Sequence, residues 1–578
     1  MREPTRPLPS LVPLPHGGWE VQSYMSSAEY TIRGLGLIPP NSVIPVIVVP
    51  GVMGTNLRAK LKPRLGRLND ERNEILSPGA IAWRPPNDNP SALRELKNWD
   101  KLSPRDRQKL FDRASLEVDE RGLITVPESE DGYILTEAEL RGRGWGEVHA
   151  GSYGLLLSVL QTQLNQTFET DEKTDRRFVK SHWKEAMRYD PRKWGVRDMS
   201  PLTVAHLEKH AKRYYPVYCV GYNWLDDCEI SSKLLEQRIT EIIDSWRKSK
   251  RQCEKVILVT HSMGGLVARA CAKRIPEKVA GVIHGVMPAF GAPAAYRRMA
   301  CGTESFSPSN GVQEDIKGYV TAKILGDTPE KTTPVLATSP GALELLPNHL
   351  YPGPWLHVRV VKVHGPVHPP NHDAKGLIKP HEEVATDYLK LPNSIAPNPY
   401  DLYRDMRRWY RLIDPRFADP AKKYQTQKLA LKAITDAIDV AEKFHRSLGD
   451  YYHPNTYVFY GDDRGKLSFG QVRWVARQWG NSATALTTSN ISTAQMLEQP
   501  FGKSRRVMLE GKTELKFEPD VQDTRGDGTV PHQSGAGPTG KVKQAFAAQG
   551  FDHQESYKNN DILVLTLRLI AKIVQETS

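Results

Sequence analysis

The chain has 578 residues, a formal net charge of +12 and five cysteines. It is too long for a single compact core without large additions, and too poor in cysteine for a disulfide-stapled fold. No apolar run approaches the roughly 20 residues that cross a bilayer, and the N-terminus, MREPTRPLPSLVPLPHGGWE, has no apolar block of signal-peptide length.

These features predict a protein made in the cytoplasm without a Sec signal. Cys219, Cys228, Cys253, Cys271 and Cys301 include no CxxC pair and are expected as reduced, mostly buried thiols. Lys and Arg are scattered rather than gathered into a basic helix, and there is no zinc-finger spacing or RNP-like aromatic motif, so a nucleic-acid partner is not expected. The charge expresses a general attraction to anions, which an anionic membrane surface fits.

Residues 1–42 read as an irregular, Pro-rich arm. SVIPVIVVPGVMGTNLRAK then places a strand at Ile44 to Val49, stopped by Pro50-Gly51 and followed by a small-residue loop. From about 60 to 143 the sequence is polar and rich in Pro and charge without a steady period, an insertion. RGWGEVHAGSYGLLLSVLQTQLN starts a helix near Ser152. A second charged insertion (167–200) and a helix from about Pro201 lead into PVYCVGYNW, a further strand. The amphipathic ISSKLLEQRITEIIDSWRKS delivers the chain to VILVTHSMGGLVARA, and VAGVIHGVMPAFGAP adds another strand and loop. NTYVFYGDD and the terminal helix NNDILVLTLRLIAKIVQ close the pattern. Strands alternating with helices predict an α/β fold with a mostly parallel, doubly wound sheet. The expected organisation is a core in two parts, 43–290 and 451–578, with a cap or lid region at 291–450 and a further insertion at about 465–520. The helix-like LALKAITDAIDVAEKFH has an apolar face that could rest on a cleft.

Within VILVTHSMGGLVARA, the β-branched run to Thr260 reads as a buried strand and the residues from Gly264 as a helix packed closely on it, so Ser262 sits on a sharp strand-to-helix turn. Such a turn pushes the serine oxygen into a cleft at a helix N-terminus. The pattern is G-x-S-x-G with Thr260 in place of the first glycine, a mild departure.

A serine hydroxyl needs a base and an acid that orients the base, expected downstream in the order Ser, Asp or Glu, His that α/β-hydrolases follow. DTRGDGTVPHQSG offers Asp527 and GFDHQESYKNN offers His553, ahead of the final helix. Asp462 or Asp463, at the end of the TYVFYG strand, compete for the acid, and His532 for the base. An oxyanion site is expected from the backbone N–H of Met263 and from Val52 or Met53, in the one early loop of small residues.

PGVMGTNL, YCVGYNW, VTHSMGGLVARA and GDGTVP together resemble the α/β-hydrolase branch that includes lecithin:cholesterol acyltransferase-like lipases. RGWGEVHAGSYG, VIHGVMPAFGAPAAYRRM and DHQESYKN are similar to the third class of type VI secretion lipase effectors, antibacterial toxins of Gram-negative bacteria. This resemblance implies an α/β-hydrolase fold, phospholipid ester hydrolysis at the periplasm or membrane of a target cell, a type VI delivery component and a cognate immunity protein. An acyltransferase or general carboxylesterase would use the same residues, and a binding module on a hydrolase scaffold would use none of them.

No cofactor is expected. His364, His368, His372 and His381 with Asp373, Glu382 and Glu383 match no metal-binding helix and sit among prolines, and Asp520, Asp523 and Asp527 lack an EF-hand pattern, so no metal is expected either.

Overall fold

A computed structural model describes residues 12–13, 19–20, 40–61, 76–87, 98–127, 135–171, 176–305, 307–308, 322–364, 382–479, 485–497, 503–510 and 513–577. Most of the N-terminal arm, parts of the 60–143 insertion, and His368, His372, Asp373 and His381 lie outside the described residues.

Two six-stranded sheets organise the chain. The first runs, in spatial order, Val217–Cys219, Val46–Val49, Val256–His261, Val279–Gly285, Thr456–Gly461 and Gln544–Ala548, with every neighbouring pair parallel. Its central strands are buried along their whole length, as expected of a parallel sheet covered on both faces. The covering helices include Ala150–Gln163, Cys228–Lys248, Gly264–Arg274 and Asn560–Glu576. The terminal helix buries Ile562, Leu565, Leu569, Ile570 and Ile573 against one face. The long helix Cys228–Lys248, capped by the Asp227 side chain, lays Leu235, Ile239 and Ile243 on the other. This is the doubly wound α/β-hydrolase architecture that the residue pattern predicts. The strand Val256–His261, which leads directly into Ser262, sits third in the order, between Val46–Val49 and Val279–Gly285.

The second sheet runs Glu382–Leu391, Leu356–His364, Val472–Trp479, Glu514–Pro519, Arg505–Met508 and Gln495–Met496. All its pairings are antiparallel except Leu356–His364 with Val472–Trp479. It is built from two stretches of chain separated by the core strand Thr456–Gly461. Segments 291–450 and 465–520 therefore share one sheet and one hydrophobic cluster, which includes Tyr296, Trp355, Trp409, Trp474 and Phe517. The helix Gln427–Leu448 turns Ile434, Ala437, Ile438 and Ala441 into that cluster, while Phe444 and Leu448 near its end reach the core behind the strand Val256–His261.

All five cysteines are free and buried. Among the described residues no helix is long and apolar enough to cross a membrane.

Candidate active site

Ser262 follows the last residue of the buried strand Val256–His261 and takes φ +51°, the left-handed region that side chains avoid unless the surroundings impose it. Two features impose it here. Ser262 N–H donates to Gly285 O at 2.9 Å, which fixes the turn to the neighbouring strand. Gly264, the first residue of the following helix, packs so closely that a Cβ there would lie 2.4 Å from both Val49 O and Pro50 O. Thr260 stands in place of the first glycine of the motif, its hydroxyl 2.9 Å from Nδ1 of the buried His284.

His553 lies in a turn between the strand Gln544–Ala548 and the terminal helix. Its Nε2 is 2.8 Å from Ser262 Oγ and its Nδ1 2.8 Å from Asp527 Oδ2. Asp527 follows the short strand Thr524–Gly526, and its other oxygen accepts from the N–H groups of Thr529 and Val530 at 3.0 and 2.7 Å. With one oxygen held by the backbone, the other faces the imidazole. Ser262 and Asp527 are 3% and 1% exposed and the His553 side chain 12%, so the serine oxygen, imidazole and carboxylate form one line of hydrogen bonds that is largely, not wholly, buried. A serine placed this way can pass its proton to Nε2 while the carboxylate holds the Nδ1–H tautomer.

The competing residues are engaged elsewhere. Asp462 pairs with Arg525 at 2.8 Å. Asp463 accepts from the N–H groups of Gly465 and Gly550. His532 opens a short helix, and burial lowers its pKa.

Met263 is fully buried at the start of the elbow helix. The early loop lies against the elbow: a Cβ on Gly51 would sit 2.7 Å from His261 Nδ1 and 3.0 Å from Ser262 Cβ. Val52 and Met53 follow directly, with Met53 at φ +64° and its carbonyl accepting from Trp83 Nε1 at 2.7 Å.

The loop is shaped by the segment 145–153. Asn56 Nδ2 donates to the carbonyls of Gly146 and Val148, His149 N–H to Gly54 O, and Gly51 N–H to Tyr153 Oη. Tyr153 Oη is also 3.0 Å from His261 Nδ1, and His261 Nε2 is 2.9 Å from the His553 carbonyl. Sequence reasoning assigned no role to Tyr153 or His261. HAGSYG carries Tyr153 and VTHSMGG carries His261, but neither motif records the contact between them. Among the described residues no cluster of His, Cys, Asp and Glu could hold a metal ion.

A family model, the PGAP1-like alpha/beta domain, matches residues 229–315, from the helix before the nucleophile strand through the elbow and beyond the next strand. No curated protein sequence matches the chain. Among solved structures, the chain is similar to one described as the crystal structure of the Tle4–Tli4 complex, with 27% identity, a TM-score of 0.70, and coverage of 93% of this chain and 99% of that one. Phospholipase PlaB from Legionella pneumophila matches at 9% identity over 52% of this chain and 71% of that one, with a TM-score of 0.14.

The first of these matches spans both sheets, so the second sheet belongs to a shared architecture. The chain thus has an α/β-hydrolase fold and shares its architecture with the Tle4 structure, the likeness its motifs indicate.

Proposed function

We propose that the protein is a serine-dependent lipase that hydrolyses carboxylic esters of phospholipids or other lipids, acting as an antibacterial effector delivered by type VI secretion. The observation that carries this reading is the pair of 2.8 Å hydrogen bonds joining Ser262 to His553 and His553 to Asp527. His553 Nε2 takes the proton of Ser262 as Oγ attacks the ester carbonyl. The developing oxyanion is received by the N–H of Met263 and an N–H of the Val52–Met53 loop. The tetrahedral adduct collapses to an acyl-serine as the imidazolium returns the proton to the departing alcohol. Water, deprotonated by His553, then releases the fatty acid.

The biological side of the reading is supported by the likeness to Tle4 in its complex with Tli4. By analogy the partners are a type VI delivery component and a cognate immunity protein, and the site of action is the periplasm or membrane of the target cell. The second sheet with the helix Gln427–Leu448 serves as the cap over the acyl cleft. Replacement Ser262→Ala should lower hydrolysis of a short-chain ester by at least about a thousandfold and abolish labelling by a fluorophosphonate, with thermal unfolding little changed. Undiminished turnover in this variant would end the reading.

A further inference from the structure

The segment 145–153 takes no part in the proposed chemistry, yet it grips both loops that the chemistry uses. The hydrogen bonds through Tyr153 and His261 have directions set by the groups themselves. The His553 carbonyl only accepts, so Nε2 of His261 carries the ring proton. In the neutral ring Nδ1 then accepts from the Tyr153 hydroxyl, and the tyrosine oxygen is left to accept from Gly51 N–H at 2.9 Å. One arrangement of protons satisfies every member, in a place where Tyr153 and His261 are only 2% and 3% exposed. Burial, with the neighbouring His553, depresses His261 to about 3, which keeps the ring neutral and this arrangement intact near pH 7.

His553 stands outside regular structure, so its imidazole is only as fixed as its backbone. The N–H of His553 donates to Asp527 O at 2.8 Å, and its C=O is held by His261. Gln554, next in the chain, donates from Nε2 to Ser152 Oγ at 2.8 Å, and that oxygen is 2.8 Å from His149 Nδ1. Tyr557 Oη reaches back to Thr260 O at 2.9 Å. Because His261 and Ser262 are consecutive, the bond from His261 to the His553 carbonyl ties the backbone of the base directly to that of the serine. Tyr153 extends the same tie to Gly51, one residue before the early loop that faces the serine.

We propose that His261 and Tyr153 are positioning residues that lock the turn bearing His553 and the Gly51 loop to Ser262, so that the distance for proton transfer is set before substrate arrives. This rests on the reading of Ser262 as nucleophile and His553 as base.

The test uses the full-length protein and measures the rate of fluorophosphonate labelling at Ser262, kcat and KM on a short-chain ester, and thermal unfolding. Tyr153→Phe removes one hydroxyl and keeps the ring. It should slow labelling and lower kcat about tenfold, the rate equivalent of one hydrogen bond, with KM within about twofold. His261→Gln, whose amide can still donate to the His553 carbonyl, should lose less activity than His261→Leu, which donates nothing. Labelling and kcat within about twofold of the parent in Tyr153→Phe, or equal losses in the Gln and Leu variants, overturn the proposal. If the Leu variant does not fold, Tyr153→Phe decides alone. An unlabelled parent protein would instead bring down the nucleophile reading, and the positioning role with it. A labelled parent with an unaffected Tyr153→Phe rejects the positioning role only.

Discussion

Two carboxylates at neighbouring strand ends separate the proposed acid from its competitors, and the difference lies in what each oxygen touches. Asp527 spends one oxygen on two backbone N–H groups and offers the other to His553; Asp462 spends its charge on Arg525. A Cβ on Gly461 would lie 2.6 Å from Asp527 Cβ, so the strand preceding Asp462 ends beside the proposed acid. Replacement Asp527→Asn preserves the shape but gives the imidazole the wrong partner, and kcat should fall on the order of a thousandfold or more, with urea unfolding nearly unchanged. The same change at Asp462 should leave kcat within about twofold. Equal losses at the two positions, read by steady-state ester hydrolysis, would remove Asp527 from the proposed triad.

The elbow helix Gly264–Arg274 is joined to the end of the helix Gln427–Leu448 by Arg269 and by Lys273, whose Nζ donates to Ser447 O at 2.6 Å. Arg269, 2% exposed, donates from Nε to Tyr451 O and from a terminal nitrogen to Gly449 O, both at 3.0 Å, and its guanidinium lies 4.0 Å from the centre of the Tyr452 ring. These carbonyls close the helix Gln427–Leu448 and start the return to the core. Replacement Arg269→Met should therefore destabilise the protein by about 2–4 kcal/mol, since the buried guanidinium's two hydrogen bonds to part-buried carbonyls are lost, as read from the urea midpoint. A midpoint equal to the parent's would show that the junction bears no load. The first sheet was legible because parallel strands buried on both faces are nearly continuous β-branched runs, as in VIVV and VILVTH. Its sixth strand, Gln544–Ala548, escaped notice: QAFAA has three alanines and pairs on one side only. The second sheet was read as insertion and cap because its strands can carry charge on one face even inside the sheet. In Glu514–Pro519, Leu515 and Phe517 point inward while Glu514, Lys516 and Glu518 are exposed, an alternation too short to stand out from its charged surroundings. The proposed serine, acid and base were legible as candidates from their order along the chain. Tyr153 and His261 were not, because their roles exist only through contacts spanning about a hundred and about three hundred residues, which no local pattern records.

At the scale of the whole molecule, charge and burial act on different variables. The net charge of +12 should raise activity per molecule on anionic vesicles above that on a soluble monomeric ester, with the advantage fading as salt screens the surface. Equal rates on both substrates at low salt would reject this surface preference and, with it, a cap that opens at lipid. Stability, in contrast, should follow pH through histidines buried without charge. Burial depresses His210 and His445 to about 4, and His261 and His284 to about 3. Above pH 6.5 these rings are neutral both folded and unfolded. As pH falls below 6.5 the unfolded chain takes up protons that the folded chain refuses, so stability declines until the folded pKa values are reached, by up to about 1.4 kcal/mol per pH unit for each ring. Glu344 has the opposite sign: burial raises it well above 4.5, so its contribution is complete below 4.5 and is lost as pH rises, offsetting one ring of the four. Asp414 stays out of this window. Its burial is outweighed by hydrogen bonds from Arg416 and Arg411, which hold it at about 2, so its contribution is lost only as pH falls from near 4 toward 2. The urea midpoint should therefore drop steadily between pH 6.5 and 4.5, well above the range where ion-paired carboxylates protonate. A midpoint that stays flat to pH 4.5 and collapses only below it would show that acid unfolding is governed by carboxylates like Asp414 and that the buried histidines do not resist protonation.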